Sequence, residues 1–294
     1  MEYPIFDTHA HYSARAFDAD RFALLDSCPA KVVGVCEQAT HSGDAPKVLE
    51  LAHKYPWVYA AVGIHPESLL APEDCGEEGP APTVSVYGGD WAAEMRALAP
   101  YYEDPKVVAV GECGLDYHWP VPKDAQLALF EAEIRLALEL DKPIIVHDRS
   151  AHADVYALLK KYQPRASSTA IPAAPMTRSG WQSRGSTLLW RGLHLQGCQA
   201  GRQGHCRPAA GTHCPGNRLP LYGPGAVRGT RCDSSLIRYV ASISPASRVR
   251  NRSRCSGRRW RMPARYITSP SETGSNRAQR QVGQSRLIRY LQKH

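Results

Sequence analysis

His9 and His11, in the stretch DTHAH at residues 7–11, are the first histidines of the chain and can bind a metal ion. A strand is predicted immediately before them, at residues 4–7. Side chains two residues apart on an extended segment point to the same side, so the two imidazoles can bind one cation at a strand end. Two ordinary polar loop residues would give the same pattern, so this pair needs support from elsewhere in the chain.

Two further strand ends carry residues of the same kind. Glu112 follows the apolar run at residues 107–111, and His147 follows the run at residues 143–146. Taken separately, Glu112 is more commonly a solvated loop carboxylate than a metal ligand, and His147 is more commonly a buried structural histidine. The carboxyl ends of parallel strands meet at one rim of a barrel, however, and three strands that each deliver such a residue predict a shared metal site. The predicted metal ligands are four side chains: His9, His11, Glu112 and His147.

Two other polar residues at this rim are predicted to contact the substrate. His65 lies in the GIHP segment after the apolar run at residues 58–63, and we assign it to substrate binding or to support of the metal ligands. Arg149 follows His147 by two residues, and its guanidinium has the donor pattern that binds phosphate oxygens. An ion pair of Arg149 with Asp148 or with a helix carboxylate is an equally good alternative.

The elements that must position these residues alternate between strand and helix patterns, which predicts an α/β fold with a parallel sheet. Helical spacing predicts helices at residues 124–140 and 153–162. The apolar face of the first helix is predicted to carry Leu127, Phe130, Ile134 and Leu138. About five βα units can be placed in residues 1–165, with strands predicted at residues 4–7, 31–35, 58–63, 107–111 and 143–146. The predicted fold class is a TIM-like (β/α)8 barrel whose remainder, beyond residue 165, is incomplete or disordered.

The charge of the chain is divided unevenly between its two parts. Residues 1–165 contain 14 basic and 26 acidic residues, a net charge of −12, whereas residues 166–294 contain 22 basic and 2 acidic residues, a net charge of +20. Of the 22 basic residues in the second part, 21 are arginine. Natural basic tails usually mix lysine with arginine, so the excess of arginine has a cause other than the physical chemistry of the protein.

The cysteines and the hydropathy of the chain indicate the cellular compartment in which the protein is expected. The nine cysteines are odd in number and form no CxxC pair, and no basic stretch followed by an apolar core begins the chain. No apolar run reaches the roughly 18 residues of a membrane span. We therefore expect a cytoplasmic protein without a membrane partner.

Four segments together resemble a known family. DTHAHY, GIHP, GECGLDYH and PIIVHDR occur in this order within residues 1–165 and are similar to successive motifs of the TatD-related metal-dependent deoxyribonucleases, which are amidohydrolase-like barrels. The resemblance implies hydrolysis of phosphodiester bonds in DNA by water activated at two divalent cations, which would be Zn, Mn or Mg. It also implies that His9 and His11 bind one cation, that Glu112 bridges the two, and that His147 holds the second.

Two motifs of this family are not found in the sequence. The family has a histidine in an HCxSG segment after its sixth strand and an aspartate in a TDxPY segment after its eighth strand. The sequences around His205 and His213 do not match the first of these segments. The aspartate would act as the general base, so we assign no catalytic residue and expect the activity of this chain to be impaired.

A shifted reading frame explains the charge, the arginine bias and the lost motifs together. Residues 165–172, RASSTAIP, can be encoded so that reading from the third base gives Gly-Ile-Val-His-Cys-Tyr-Ser. Residues 216–227 can be encoded so that reading from the second base gives Thr-Asp-Cys-Pro-Tyr, whereas residues 228–241 resemble the family in the frame as given. Residues 1–165 are therefore predicted to be the N-terminal part of the barrel, and residues 166–294 its frame-shifted, Arg-rich remnant.

Two other functions remain open from the sequence. A metal-dependent amide or lactone hydrolase of the amidohydrolase-like group would use the same ligands. A noncatalytic nucleic-acid-binding protein would use the basic residues 166–294, although these lack regularly spaced aromatic residues. The partner that we expect is DNA or a small phosphoester, and the chain is expected to be a monomer.

The frame-shift hypothesis has a direct test in the underlying nucleotide sequence. Independent resequencing across codons 160–275 is expected to show at least two insertions or deletions, whose correction restores HCxSG and TDxPY. An uninterrupted frame that encodes the printed residues, found again in independently isolated DNA, would contradict the hypothesis.

Overall fold

A computed structural model describes residues 6–30, 32–70, 85–168, 187–189, 213–214 and 231–236 of the chain. Residues 71–84 and most of the Arg-rich residues 166–294 lie outside these residues. Among the described helices, none combines the length and the apolar character needed to cross a bilayer. The fold below is that of the described residues.

In the described part of the chain, eight parallel strands form one sheet in which each strand pairs with its neighbours along the chain. The last strand lies within 8 Å of the first between Cα atoms, so the sheet curls towards closure. The strands are β1 Phe6–Ala10, β2 Gly34–Gln38, β3 Val58–Val62, β4 Val107–Asp116, β5 Ile144–Arg149, β6 Ala166–Ser168, β7 Thr187–Leu189 and β8 His213–Cys214. The predicted parallel α/β barrel is confirmed, and three short strands continue it beyond residue 165.

Five α-helices and several short 3-10 helices connect the strands in the described residues. The α-helices are α1 Arg21–Ser27, α2 Ala45–Lys54, α3 Trp91–Leu98, α4 Lys123–Glu139 and α5 His152–Tyr162. The 3-10 helices are Arg15–Phe17, Cys28–Ala30, Pro66–Leu69, Ala99–Glu103 and Ser234–Leu236. The two helices predicted from periodicity correspond to α4 and α5, each within one residue at both ends.

The buried face of α4 differs from the predicted one. Phe130 and Ile134 are fully buried, as expected, but Leu138 is 44% exposed and Leu127 is only partly buried. The buried face instead includes Leu129, the residue immediately before Phe130. Helical spacing identifies apolar neighbours correctly, whereas the direction of the face depends on packing against β4, which the helix sequence does not record.

Strand boundaries were predicted less well than helix boundaries. β2 begins three residues later than predicted, β1 continues to Ala10, and β4 continues from Val107 through to Asp116. As a result, His9 lies within β1, and Glu112 lies in the middle of β4 rather than after it. Polar residues continue these strands because they face one another across the rim, where they form hydrogen bonds and ion pairs despite being buried.

The sheet packs on both of its faces. A large apolar cluster joins the strands to the helices, and a small cluster of Cys36, Ala61, Ala109 and Ile145 occupies positions on four adjacent strands. Because side chains alternate along a strand, the second cluster lies on the inner face of the sheet, below the polar rim. The rim residues therefore sit on a closely packed apolar floor.

The packing of α4 against the sheet makes a testable prediction. Phe130 is fully buried in the main cluster, so Phe130→Ala is expected to lower the free energy of unfolding by about 3–5 kcal/mol. Phe22 lies on α1 and is 45% exposed, so Phe22→Ala is the matched control and should cost roughly 1 kcal/mol or less. Urea unfolding followed by circular dichroism measures both, and equal losses would contradict this packing.

Candidate metal centre

The carboxylate of Glu112, at the C-terminal rim of the sheet, is the central group of the site. Its Oε2 atom lies 3.2 Å from Nε2 of His9 and 3.4 Å from Nε2 of His11. Its Oε1 atom lies 3.3 Å from Nδ1 of His147. Side chains from β1, β4 and β5 therefore meet at one carboxylate, and each of its two oxygens faces a different set of imidazoles.

The charge of Glu112 is stabilised by these neighbours. Only 1% of Glu112 is exposed, and burial by itself raises the pKa of a carboxyl group. The imidazoles of His9, His11 and His147 outweigh burial and hold the pKa of Glu112 well below its ordinary value. The carboxylate is therefore ionised at neutral pH, which is the form that binds cations.

The group of His9, His11 and Glu112 fits a divalent cation in its chemistry and spacing. The two Nε2 atoms lie 3.0 Å apart, and the ligand atoms of all three residues lie within 4.8 Å of one another. Four ligands bound at about 2.0–2.1 Å around a tetrahedral ion are about 3.3 Å from each other. The separations of 3.0, 3.2 and 3.4 Å between these three ligand atoms match that geometry.

His147 stands between two carboxylates and is fully buried. Its Nδ1 faces Glu112, and its Nε2 lies 2.8 Å from Oδ2 of Asp116. When Nε2 carries the proton and donates it to Asp116, the lone pair of Nδ1 points towards Glu112 and is available to a cation. This is the arrangement in which a carboxylate orients a histidine ligand and fixes its tautomer.

Asp116 is itself held in place by the chain around it. The side chain of Gln126, buried on α4, accepts a hydrogen bond from the backbone N–H of Asp116 at 2.8 Å and donates one to its carbonyl at 2.9 Å. The backbone N–H of His118 donates to Oδ1 of Asp116 at 2.9 Å. Burial raises the pKa of Asp116, but the hydrogen bond and charge of His147 reverse the direction and lower it.

Two glycines let β4 and β5 approach closely at this point. Gly111 and Gly114 both have φ of +140°, a region that other residues rarely adopt. A Cβ atom on Gly111 would lie 2.7 Å from the carbonyl oxygen of Ile145, and one on Gly114 would collide with the carbonyl of His147. The separation of Glu112 from His147 is therefore set by main-chain contact.

His65 lies beside this site. It is buried at the start of a 3-10 helix, its Nδ1 accepts from the backbone N–H of Glu67 at 3.2 Å, and its ring centroid is 4.2 Å from that of His147. Potential ligand atoms of His65, Glu112 and His147 lie within 4.8 Å of one another, and those of Glu67, Asp116 and His147 do so as well. His65 thus adjoins the second set of ligands, and its role in substrate binding stays a prediction.

Arg149 lies at the outer edge of the site. Its side chain is 40% exposed, and its guanidinium is 3.9 Å from Oδ2 of Asp116. Asp148, the alternative partner considered from the sequence, instead accepts a hydrogen bond from His152 at 2.7 Å. The guanidinium is therefore within reach of the rim and open to solvent, and phosphate binding by Arg149 stays a prediction.

Asp116 and Glu37 are two further carboxylates at this rim that the sequence pattern does not predict. Glu37, at the end of β2, is fully buried, and its Oε1 accepts from the backbone N–H of Ser13, two residues beyond His11, at 2.6 Å. Burial raises the pKa of Glu37, and the nearby His11 only partly offsets this. Both carboxylates lie at strand ends, and this position could have indicated a role in the site. Their contacts depend on strand register, which the sequence does not show.

Buried imidazoles and carboxylates at the C-terminal rim of a parallel α/β barrel define the class of metal-dependent barrel hydrolases. The sequence model of the TatD-related DNase family matches residues 6–171, which is more than half of the chain. The protein belongs to the TatD-related DNase family.

Relatives extend the similarity beyond the matched region. The uncharacterized metal-dependent hydrolase YabD of Bacillus subtilis is 30% identical over 248 residues, which span 81% of this chain and 88% of that protein. The 3'-5' ssDNA/RNA exonuclease TatD of Erwinia tasmaniensis is 29% identical over 182 residues, but these span only 63% of that protein. The crystal structure of YjjV, a TatD homolog from Escherichia coli K12, has a TM-score of 0.67 at 20% identity and covers 97% of this chain and 95% of that one. This last likeness concerns the fold.

The contact between His147 and Asp116 makes a testable prediction about metal affinity. Asp116→Ala removes the acceptor that fixes the tautomer of His147, so Mn²⁺ is expected to bind about 10- to 100-fold more weakly. Isothermal titration calorimetry measures this affinity. Asp124, an exposed residue on α4, provides the control, and Asp124→Ala should bind Mn²⁺ like the unaltered chain. Unchanged affinity in Asp116→Ala would show that His147 needs no such support.

Proposed function

We propose that this site hydrolyses phosphodiester bonds in DNA or in a small phosphoester, using two divalent cations. The observation that carries the proposal is that the two carboxylate oxygens of Glu112 have different neighbours: Oε2 faces His9 and His11, and Oε1 faces His147. A carboxylate placed in this way has one oxygen for each of two neighbouring cations. Paired cations of this kind are the usual arrangement in enzymes that cleave phosphate esters.

The roles of the residues follow from their positions. His9, His11 and Oε2 of Glu112 would hold the first cation, and His147 with Oε1 of Glu112 would hold the second. Divalent cations there would lower the pKa of water and neutralise negative charge on a phosphoryl group. Imidazole and carboxylate ligands suit Zn or Mn, and Mg where carboxylates and water dominate.

The substrate side of the site is assigned to His65 and Arg149. His65 lies against the ring of His147, and Arg149 presents a partly exposed guanidinium at the rim. A guanidinium can bind two oxygens of one phosphate group, which would orient the ester for attack. The name of the Erwinia relative, a 3'-5' ssDNA/RNA exonuclease, supports a nucleic-acid substrate.

We further propose that hydrolysis by this chain is slow. The histidine of HCxSG and the aspartate of TDxPY are not in its sequence, and the aspartate would be the general base. The shifted frames restore these motifs at residues 165–172 and 216–227, of which residues 169–172 and all of 216–227 lie outside the described residues. In this proposal residues 1–165 form the intact part of a monomeric cytoplasmic enzyme, and residues 166–294 are its frame-shifted remnant.

An assay of the full chain tests the proposal. A 3'-labelled single-stranded DNA and bis(p-nitrophenyl) phosphate are incubated with Mn²⁺, Zn²⁺ or Mg²⁺, with and without EDTA. We expect slow cleavage that EDTA abolishes and that Glu112→Gln lowers by about 100-fold or more, because loss of the shared carboxylate weakens both cation sites. Glu50, an exposed residue on α2, provides the control, and Glu50→Gln should leave the rate unchanged.

Three results would contradict the proposal. The first is cleavage that survives EDTA or Glu112→Gln. The second is hydrolysis of amides or lactones, but of neither phosphodiester, which would favour the amidohydrolase-like alternative. The third is the absence of phosphodiester cleavage with all three metals. DNA binding that persists in residues 166–294 and falls steeply with salt, without cleavage by the full chain, would favour a noncatalytic nucleic-acid-binding protein.

A further inference from the structure

The position of His9 depends on a side chain as well as on the sheet. The parallel register between β1 and β2 is regular at Phe6 and Asp7 but shifts before Ala10. Within this irregular stretch, the backbone N–H of His9 donates to Oδ1 of Asp7 at 3.2 Å. Asp7 therefore fixes the main chain of His9 at the point where the sheet register is interrupted.

The second oxygen of Asp7 is bound by a residue more than 200 positions away. The hydroxyl of Ser234 donates to Oδ2 of Asp7 at 2.7 Å, and the backbone N–H of Ser234 donates to the hydroxyl of Tyr12 at 2.9 Å. Asp7, Tyr12 and Ser234 are all fully buried. Ser234 thus contacts the chain on both sides of the histidine pair, two residues before His9 and one residue after His11.

A surface contact holds this distant segment in place. Arg231 donates to both carboxylate oxygens of Asp20 and to the carbonyl of Ala16 at 2.8 Å, and its guanidinium lies 4.7 Å from the centroid of the Phe17 ring. Cys232, the next residue, is fully buried in the main apolar cluster. The segment 231–236 is therefore anchored at the surface and in the core before it reaches Asp7.

We infer that Ser234 is a positioning residue for the cation site of His9 and His11, and that it acts through Asp7. The hydrogen bond from Ser234 sets the rotation of the Asp7 carboxylate, whose other oxygen holds the backbone of His9. Loss of the Ser234 hydroxyl removes one of the contacts that hold the Asp7 carboxylate, so the backbone of His9 is held less firmly and the ligand atoms match one cation less well. This inference rests on the proposed function, because it assumes that His9 and His11 bind a cation.

Calorimetric titration of the full chain with Mn²⁺ tests the inference. Ser234→Ala removes one oxygen atom and is expected to weaken Mn²⁺ binding by roughly tenfold, the lower end of the range for outer-shell partners of a metal ligand. Ser235→Ala is the matched control, since Ser235 neighbours Ser234 and is only partly buried, and its affinity should stay within about twofold. Arg231→Ala, which loosens the same segment at the surface, should weaken binding by a smaller factor in the same direction.

A double-mutant cycle tests the route through Asp7. If Ser234 acts through Asp7, Asp7→Ala combined with Ser234→Ala should bind Mn²⁺ no more weakly than Asp7→Ala by itself. Urea unfolding of each variant separates positioning from general stability. A Ser234→Ala chain that unfolds at lower urea but keeps its Mn²⁺ affinity would overturn the inference, as would losses that add up in the double variant.

The outcomes also separate this inference from the proposed function. If the unaltered chain binds no Mn²⁺, the proposed function fails and the inference fails with it. If the unaltered chain binds Mn²⁺ and Ser234→Ala binds it equally well, the inference alone is overturned.

Discussion

One buried carboxylate, that of Glu112, determines how the rest of the site is built. Placing an ionised carboxylate in the interior costs several kcal/mol unless other groups compensate for the lost water. Here the compensation comes from His9 on β1, from His11 directly after β1, and from His147 on β5, the neighbour of β4. The strand order, the apolar floor beneath the rim and the helices outside the sheet all serve to bring these three imidazoles to one point.

The sequence predicted the parts of the site that depend on local order. Each of the ligands His9, Glu112 and His147 follows a short apolar run, and strands of one parallel sheet end on the same side, so their convergence follows from the pattern alone. The class of fold was accessible for the same reason. The observed ends of β1 and β4 differ from the predicted ones because polar residues continue these strands where other polar side chains face them. The sequence of a single segment does not show which side chains will face it.

The rest of the site depends on contacts between distant elements. Asp116 contacts His147 only because β4 and β5 pair in one register, Leu115 with Asp148 and Asp116 with Arg149. The contact of Asp7 with Ser234 joins residues 227 positions apart in the chain. Charge counting separated the acidic first part of the chain from the Arg-rich remainder, yet residues 231–236 pack specifically against the first part. Similarity to YabD over 81% of the chain likewise extends past residue 165.

The glycines of β4 give the metal centre an unusual kind of rigidity. Since Gly111 and Gly114 bring two main chains into direct contact, the separation of the two main chains that carry Glu112 and His147 is fixed. Evolution of new specificities in such a scaffold would have to leave this spacing alone and work on the loops above it. The spacing of the metal ligands is thereby fixed by backbone geometry, while the choice of substrate depends on parts of the chain that can vary.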